Sequence, residues 1–177
     1  MIHLMIEDIN ENSERLILNE ISLIYPDLHD IKFFKDRFNK PHIFANGKEK
    51  IWCSISHKEI LKLIVLSDSV IGIDVESKII KSELSYLFHN AEQMLMNNHE
   101  SISLTLMWTL KEAAAKSIGL GLTFGINSVY IYLIDKKCVE FISTKTGFQY
   151  MGRYYIFKVK KYIISIIYNV ERINYER

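Results

Sequence analysis

Proline and cysteine are almost absent: 177 residues hold two prolines, Pro26 and Pro41, and two cysteines, Cys53 and Cys138. Two cysteines build no disulfide framework, and the chain has neither a low-complexity tract nor an obvious linker. A charge excess of one sign is missing too. The 22 Lys/Arg and 21 Asp/Glu leave a net +1, which excludes the basic footprint of a nucleic-acid binder. Long hydrophobic runs are absent: the most apolar stretch, Tyr162 to Tyr168, is far too short to span a bilayer as a helix. The opening Met1-Ile2-His3-Leu4-Met5-Ile6-Glu7-Asp8 carries acids where a signal peptide carries bases. No glycine-rich loop of the phosphate-cradling kind occurs. These absences together lead us to expect a reduced, cytoplasmic protein that neither enters a membrane nor binds nucleic acid.

What is present is apolar. The hydrophobic share is 49%, with 10 Tyr, 9 Phe and 2 Trp, ample for one domain or two small lobes. Asn12 to Tyr25 reads as a helix, with Leu18, Ile21 and Tyr25 at helical spacing and Pro26 ending it. Ile31 to Phe34 is a short strand, Asn39-Lys40-Pro41 a turn, and Ile51 to Ser56 a strand leading to His57. The β-rich runs Ile60 to Leu66 and Val70 to Val75 flank Ser67-Asp68-Ser69, a hairpin signal. Glu83 to Phe88, Ala91 to Asn98 and Ser101 to Ser117 read as helices. Val129 to Ile134, Val139 to Ser143, Tyr154 to Val159 and Tyr162 to Tyr168 follow as strands. Helices and strands thus segregate in blocks twice over, which predicts an α+β fold with antiparallel sheets.

Two short segments carry the chemistry, separated by 31 residues: Gly72-Ile73-Asp74-Val75-Glu76 and Trp108-Thr109-Leu110-Lys111-Glu112-Ala113-Ala114-Ala115-Lys116. In the first, a strand end, Asp74 and Glu76 stand at i and i+2 and share a side. In the second, a helix, Glu112 and Lys116 stand at i and i+4 and share a face. Three hard oxygen ligands and a cation are what Mg²⁺ and a pyrophosphate require.

These segments, followed by Gly119-Leu120-Gly121-Leu122, resemble the two signature motifs of the 4′-phosphopantetheinyl transferase superfamily. Asn39-Lys40-Pro41 resembles the family's Gly-Lys-Pro segment, and Ser54-Ile55-Ser56-His57 its Asn-Ile-Ser-His segment. Arg15 lies in a helix similar to the family's arginine-containing first helix, and Glu92 where members often carry a carboxylate between the signatures. The resemblance implies the longer, surfactin-synthetase-activator type of fold: a pseudo-dimer of two similar α+β lobes with the site between them. Here those lobes would be residues 1–71, the coenzyme A rim, and 72–177, which bears the signatures.

It also implies the activity. The phosphopantetheine arm of coenzyme A passes to a serine of an apo acyl or peptidyl carrier protein, with Mg²⁺ as cofactor and release of adenosine 3′,5′-bisphosphate. By resemblance Asp74, Glu76 and Glu112 are the metal ligands, Glu76 either directly or through water, and Lys116 reaches the pyrophosphate. Arg15, Lys40, Pro41, Ser56 and His57 meet the nucleotide end of coenzyme A. Glu92 is the general base for the carrier's serine, either directly or through a metal-bound water. From position alone, Lys111, about 100° round the helix from Glu112, is structural or peripheral, Trp108 packs to fix the helix, and Cys53 in its apolar strand is inert. Lys78 and Lys81, and a second cluster of Arg153, Lys158, Lys160 and Lys161, are candidates to steer an acidic carrier.

The chain departs from the pattern in three places. Asn39 stands where glycine is usual, and Lys58 follows the Ser-His pair where a small hydroxyl residue is common. Only 71 residues precede Gly72, fewer than the longer type has, which opens a second reading as a non-catalytic module that binds coenzyme A or a carrier.

Overall fold

The structure is a computed structural model and describes residues 1–77, 86–121 and 125–173. In the first half β1 (Ile2–Asp8) precedes α1 (Ser13–Ile24), then β2 (Lys32–Lys35), β3 (Pro41–Ala45), β4 (Lys48–Lys58) and β5 (Leu61–Ser67). In the second, β6 (Ile71–Ser77) precedes α2 (Asn90–Asn98) and α3 (Leu104–Ser117), then β7 (Val129–Ile134), β8 (Cys138–Ser143), β9 (Gln149–Val159) and β10 (Tyr162–Ile173). Each half forms a five-stranded sheet, ordered β1-β5-β4-β3-β2 in one and β6-β10-β9-β8-β7 in the other. The order is the same with every index raised by five, and every pairing is antiparallel. The fold is therefore the expected pair of similar α+β lobes.

Local chemistry sets the helix ends. Asn12 caps α1 by accepting the Arg15 N–H at 2.9 Å, and the Tyr25 N–H closes the other end on the Ile21 carbonyl, just before Pro26. Such a cap is worth about 1 kcal/mol. The buried stripe of α1 centres on Ile17 and Ile21, one position from the expected Leu18. Ser103 caps α3 by accepting the Leu106 N–H, so this helix starts three residues after the predicted Ser101. Asn39 takes a left-handed φ of 61°, which asparagine tolerates better than most residues, and the turn before β3 survives without the family's glycine.

Three apolar clusters follow from strand alternation. In β5, Ile64 and Leu66 face α1, together with Met5, Ile43, Ile51 and Cys53. Leu63 and Val65 face the other way and meet Ile71, Ile73, Val75, Ile164 and Ile166 of the second sheet, sealing the lobes together. The third cluster lies under α2 and α3 on the far face of the second sheet. Among the described residues no helix is long and apolar enough to cross a membrane.

The structure corrects two local expectations. Ser67-Asp68-Ser69 is no hairpin: β5 pairs with β1 and β4, and β6 pairs with β10. The segment is the crossing between sheets; both flanking runs are apolar on both faces, so their composition fits either arrangement. The N-terminal residues form β1, an element the sequence reading does not assign. Residues 83–85 of the helix expected at Glu83 to Phe88, the lysines Lys78 and Lys81, and Leu122 lie outside the described residues.

Candidate active site

β6 is an edge strand, and β4 of the other lobe runs beside it. The Ile73 N–H donates to Ser54 Oγ at 3.2 Å, and Ser56 Oγ donates to Asp74 Oδ1 at 2.9 Å. On its other face β6 carries α3. A Cβ on Gly72 would stand 2.0 Å from the Ala113 carbonyl oxygen and 2.7 Å from the Ser117 nitrogen, so the absent side chain lets the helix backbone lie directly on the strand. That contact, with a buried Thr109–Ser165 hydroxyl pair at 2.7 Å, brings the acids of β6 up to Glu112 and Lys116.

Asp74 is 6% exposed and Glu112 3%. Lys116 Nζ donates to Asp74 Oδ1 at 2.6 Å and to Ser56 Oγ at 3.1 Å. Asp74 Oδ2 and Glu112 Oε2 are buried and have no hydrogen-bond partner. Burial, and then the negative charge of Asp74, push the Glu112 carboxyl up to about 7, against the opposing pull of Lys116 and Lys111. Two buried oxygens without a donor, on carboxylates that repel one another, are a donor set short of a cation; they fit a hard divalent ion that keeps several waters. Glu76 Oε2 is 2.7 Å from Lys58 Nζ, and the Glu76 charge adds a smaller upward push to Glu112. Among the described residues no three His, Cys, Asp or Glu side chains converge to cage a metal.

A cavity of about 530 Å³ opens beside this cluster. Lys40, Pro41 and His57 from the first lobe and Lys116, Gly119 and Gly121 from the second line it. The expected nucleotide-rim residues Lys40, Pro41 and His57 are thus brought together, and Ser56 joins them to Asp74. Lys40 Nζ lies over the Trp52 ring, 5.4 Å from its centroid. The turn that carries Lys40 is held by Asp36, whose Oδ1 accepts the N–H groups of Phe38 and Lys40 at 2.8 and 3.0 Å. With Lys35 also in the wall, three lysines line one space, a setting for phosphate. Cys53 contributes a wall as well, and burial pushes its thiol up, in keeping with inert packing.

Two expected residues stand elsewhere. Arg15 does not line this cavity; its guanidinium is exposed and pairs with Glu11 one helical turn back, at 2.7 Å. Glu92 does not line the cavity either. It is fully buried; Oε2 accepts the Lys111 ammonium at 2.7 Å and the His89 N–H at 2.8 Å, and Oε1 accepts the Ile131 N–H at 3.0 Å. Every acceptor direction serves the fold, tying α2 to α3 and β7. Lys111 is structural as expected, buried and also set against Phe88, which Trp108 meets edge-on. Lys35, Asp36 and the Lys58–Glu76 pair were missed by sequence reasoning. Asp36 alone left a trace, the Asx-turn spacing ahead of Asn39-Lys40.

Residues 70–167 match the family described as the 4′-phosphopantetheinyl transferase superfamily. A relative from Aneurinibacillus migulanus, the 4′-phosphopantetheinyl transferase gsp, is 32% identical over 108 residues, 58% of this chain and 44% of that protein. The chain therefore spans less than half the length of this relative. With more than half of its residues inside the family match, on the strands and helix that build the acid cluster, the chain belongs to the 4′-phosphopantetheinyl transferase superfamily.

Proposed function

We propose that this protein transfers the 4′-phosphopantetheine arm of coenzyme A to a serine of an apo acyl or peptidyl carrier protein, and releases adenosine 3′,5′-bisphosphate. One observation carries the reading: a cavity walled by lysines of both lobes includes Lys116, whose ammonium holds Asp74, and Asp74 and Glu112 each keep a buried oxygen that lacks a partner. Coenzyme A offers a polyanion for the first and a pyrophosphate for the boundary between them. On this reading residues 1–71 form the rim for the nucleotide and 72–177 carry the acids. The free thiols Cys53 and Cys138 support a cytoplasmic setting.

Asp74 and Glu112 would hold Mg²⁺, which supplies charge neutralisation at the pyrophosphate. Lys116, one turn from Glu112 and fixed on Asp74 and Ser56, reaches the same pyrophosphate. Lys40 and His57 bind the nucleotide end. The carrier's serine oxygen forms a bond to the β-phosphorus of coenzyme A as the bond from that phosphorus to the adenosine bisphosphate oxygen breaks. The serine proton needs an acceptor. Glu92, to which the resemblance gives that role, is bound to Lys111 and two backbone N–H groups.

The test is intact-mass analysis of apo carrier proteins incubated with coenzyme A, Mg²⁺ and the protein. One added arm with the wild type and none with Asp74→Ala is the expected result. Equal rates in both would remove Asp74 from the site. Coenzyme A binding without transfer to any carrier would favour a binding module.

A further inference from the structure

The three acids of the site are not equally available. Asp74 Oδ2 and Glu112 Oε2 are buried with no partner. Glu76 sits nearer the surface, with its side chain 22% exposed, and its Oε2 is engaged by Lys58 Nζ at 2.7 Å. The engaging lysine comes from the other lobe. It is the last residue of β4, and the Ser54 and Ser56 bonds to β6 hold that strand in place. Lys58 therefore reaches Glu76 from a fixed base. It is also the residue that replaces the small hydroxyl side chain common after Ser-His. A hydroxyl there could neither neutralise Glu76 nor hold it aside.

We infer that Lys58 withholds Glu76 from the cation site, so that Asp74 and Glu112 alone bind the divalent ion and Lys58 sets how tightly they do so. The inference rests on the proposed Mg²⁺-dependent reading. Its physical basis is competition for one carboxylate. A half-exposed ammonium contributes little to folding, yet it places a positive charge beside the cation site and occupies an oxygen the ion would otherwise use. It also explains why no three acids converge among the described residues: the third carboxylate is held by a lysine.

The experiment is calorimetric titration of chelator-stripped protein with MgCl₂ and MnCl₂, with neither coenzyme A nor carrier present. Lys58→Met, which frees Glu76 and removes a unit charge, should tighten binding about tenfold. Lys58→Arg should bind as the wild type does. In the Lys58→Met background Glu76→Gln should remove most of the gain, leaving only what loss of the lysine charge supplies. Unchanged or weaker binding by Lys58→Met would overturn the inference, as would a gain that Glu76→Gln leaves intact, or no cation binding in either protein. Unfolding of each variant in chelator checks that the fold is intact. The carrier assay is independent of this one. Failure of transfer beside the expected affinities would dismiss the activity and leave the role of Lys58 standing; transfer with unchanged affinities would do the reverse.

Discussion

The first strands of the two lobes make the sharpest comparison in the molecule. Both have seven residues, both lie at the edge of their sheet, and both pair antiparallel with the last strand of their lobe. From its first residue, β1 reads Ile-His-Leu-Met-Ile-Glu-Asp and β6 reads Ile-Gly-Ile-Asp-Val-Glu-Ser. The apolar positions agree; the polar face differs at two. Where β6 has Gly72, pressed by the backbone of α3, β1 has His3, whose Nε2 lies 2.6 Å from Glu20 Oε1 on α1. Where β6 has Asp74, β1 has Met5, buried in the core. The shared topology makes two frames, and a glycine and an aspartate turn one of them into a site. The second lobe also has a helix the first lacks, α2, fastened by a buried ion pair.

That fastening predicts the largest effect. Lys111→Met leaves Glu92 charged and buried with only N–H donors, and should lower stability by about 3–5 kcal/mol; the Lys111→Met, Glu92→Leu double variant should lose less than the two single changes combined. Urea unfolding measures both, and additive losses would show that the pair does not act as a unit. Gly72→Ala comes next. Its methyl has no room against Ala113, and a loss of about 3 kcal/mol is expected, whereas His3→Ala, at the matching place in β1, should lose less than about 1 kcal/mol. Equal losses at the two positions would erase the contrast between the frames.

The smallest effect is on pH dependence and follows from the burial of Glu112 and the charge of Asp74. Because the folded Glu112 carboxyl sits at about 7, above its ordinary 4.5, the native state keeps a proton that the unfolded chain releases. In chelator, the contribution of this group to stability should fall as pH rises from about 4.5 through about 7 and then level off. Glu112→Gln should flatten that part of the profile, and Mg²⁺ should restore stability at pH 8. A profile that is flat in the wild type would mean that neither burial nor Asp74 raises the Glu112 carboxyl.

The parts of this architecture that depend on local spacing were legible in the chain. Two blocks of helix followed by strand predicted the α+β class; the i, i+2 acids and the i, i+4 Glu–Lys pair marked β6 and α3 as the site. Features that depend on which elements meet were not. Ser67-Asp68-Ser69 has the composition of a turn within a sheet and serves as a step between sheets. Glu92 has the sequence surroundings of a surface acid, and only the arrival of Lys111 from α3 makes its burial tolerable. Lys58 and Glu76 belong to different lobes, so neither neighbourhood announces the pair.

The cavity has one wall from each lobe, and the apolar seam between Leu63, Val65, Ile73 and Ile164 joins those same two bodies. A ligand that touches Lys40 on one side and Lys116 on the other is therefore a fastener as well as a cargo. Occupancy and cohesion draw on a single free energy. The protein should be most vulnerable to heat and proteases when empty, and resistance to either becomes a gauge of whatever bridges its two halves.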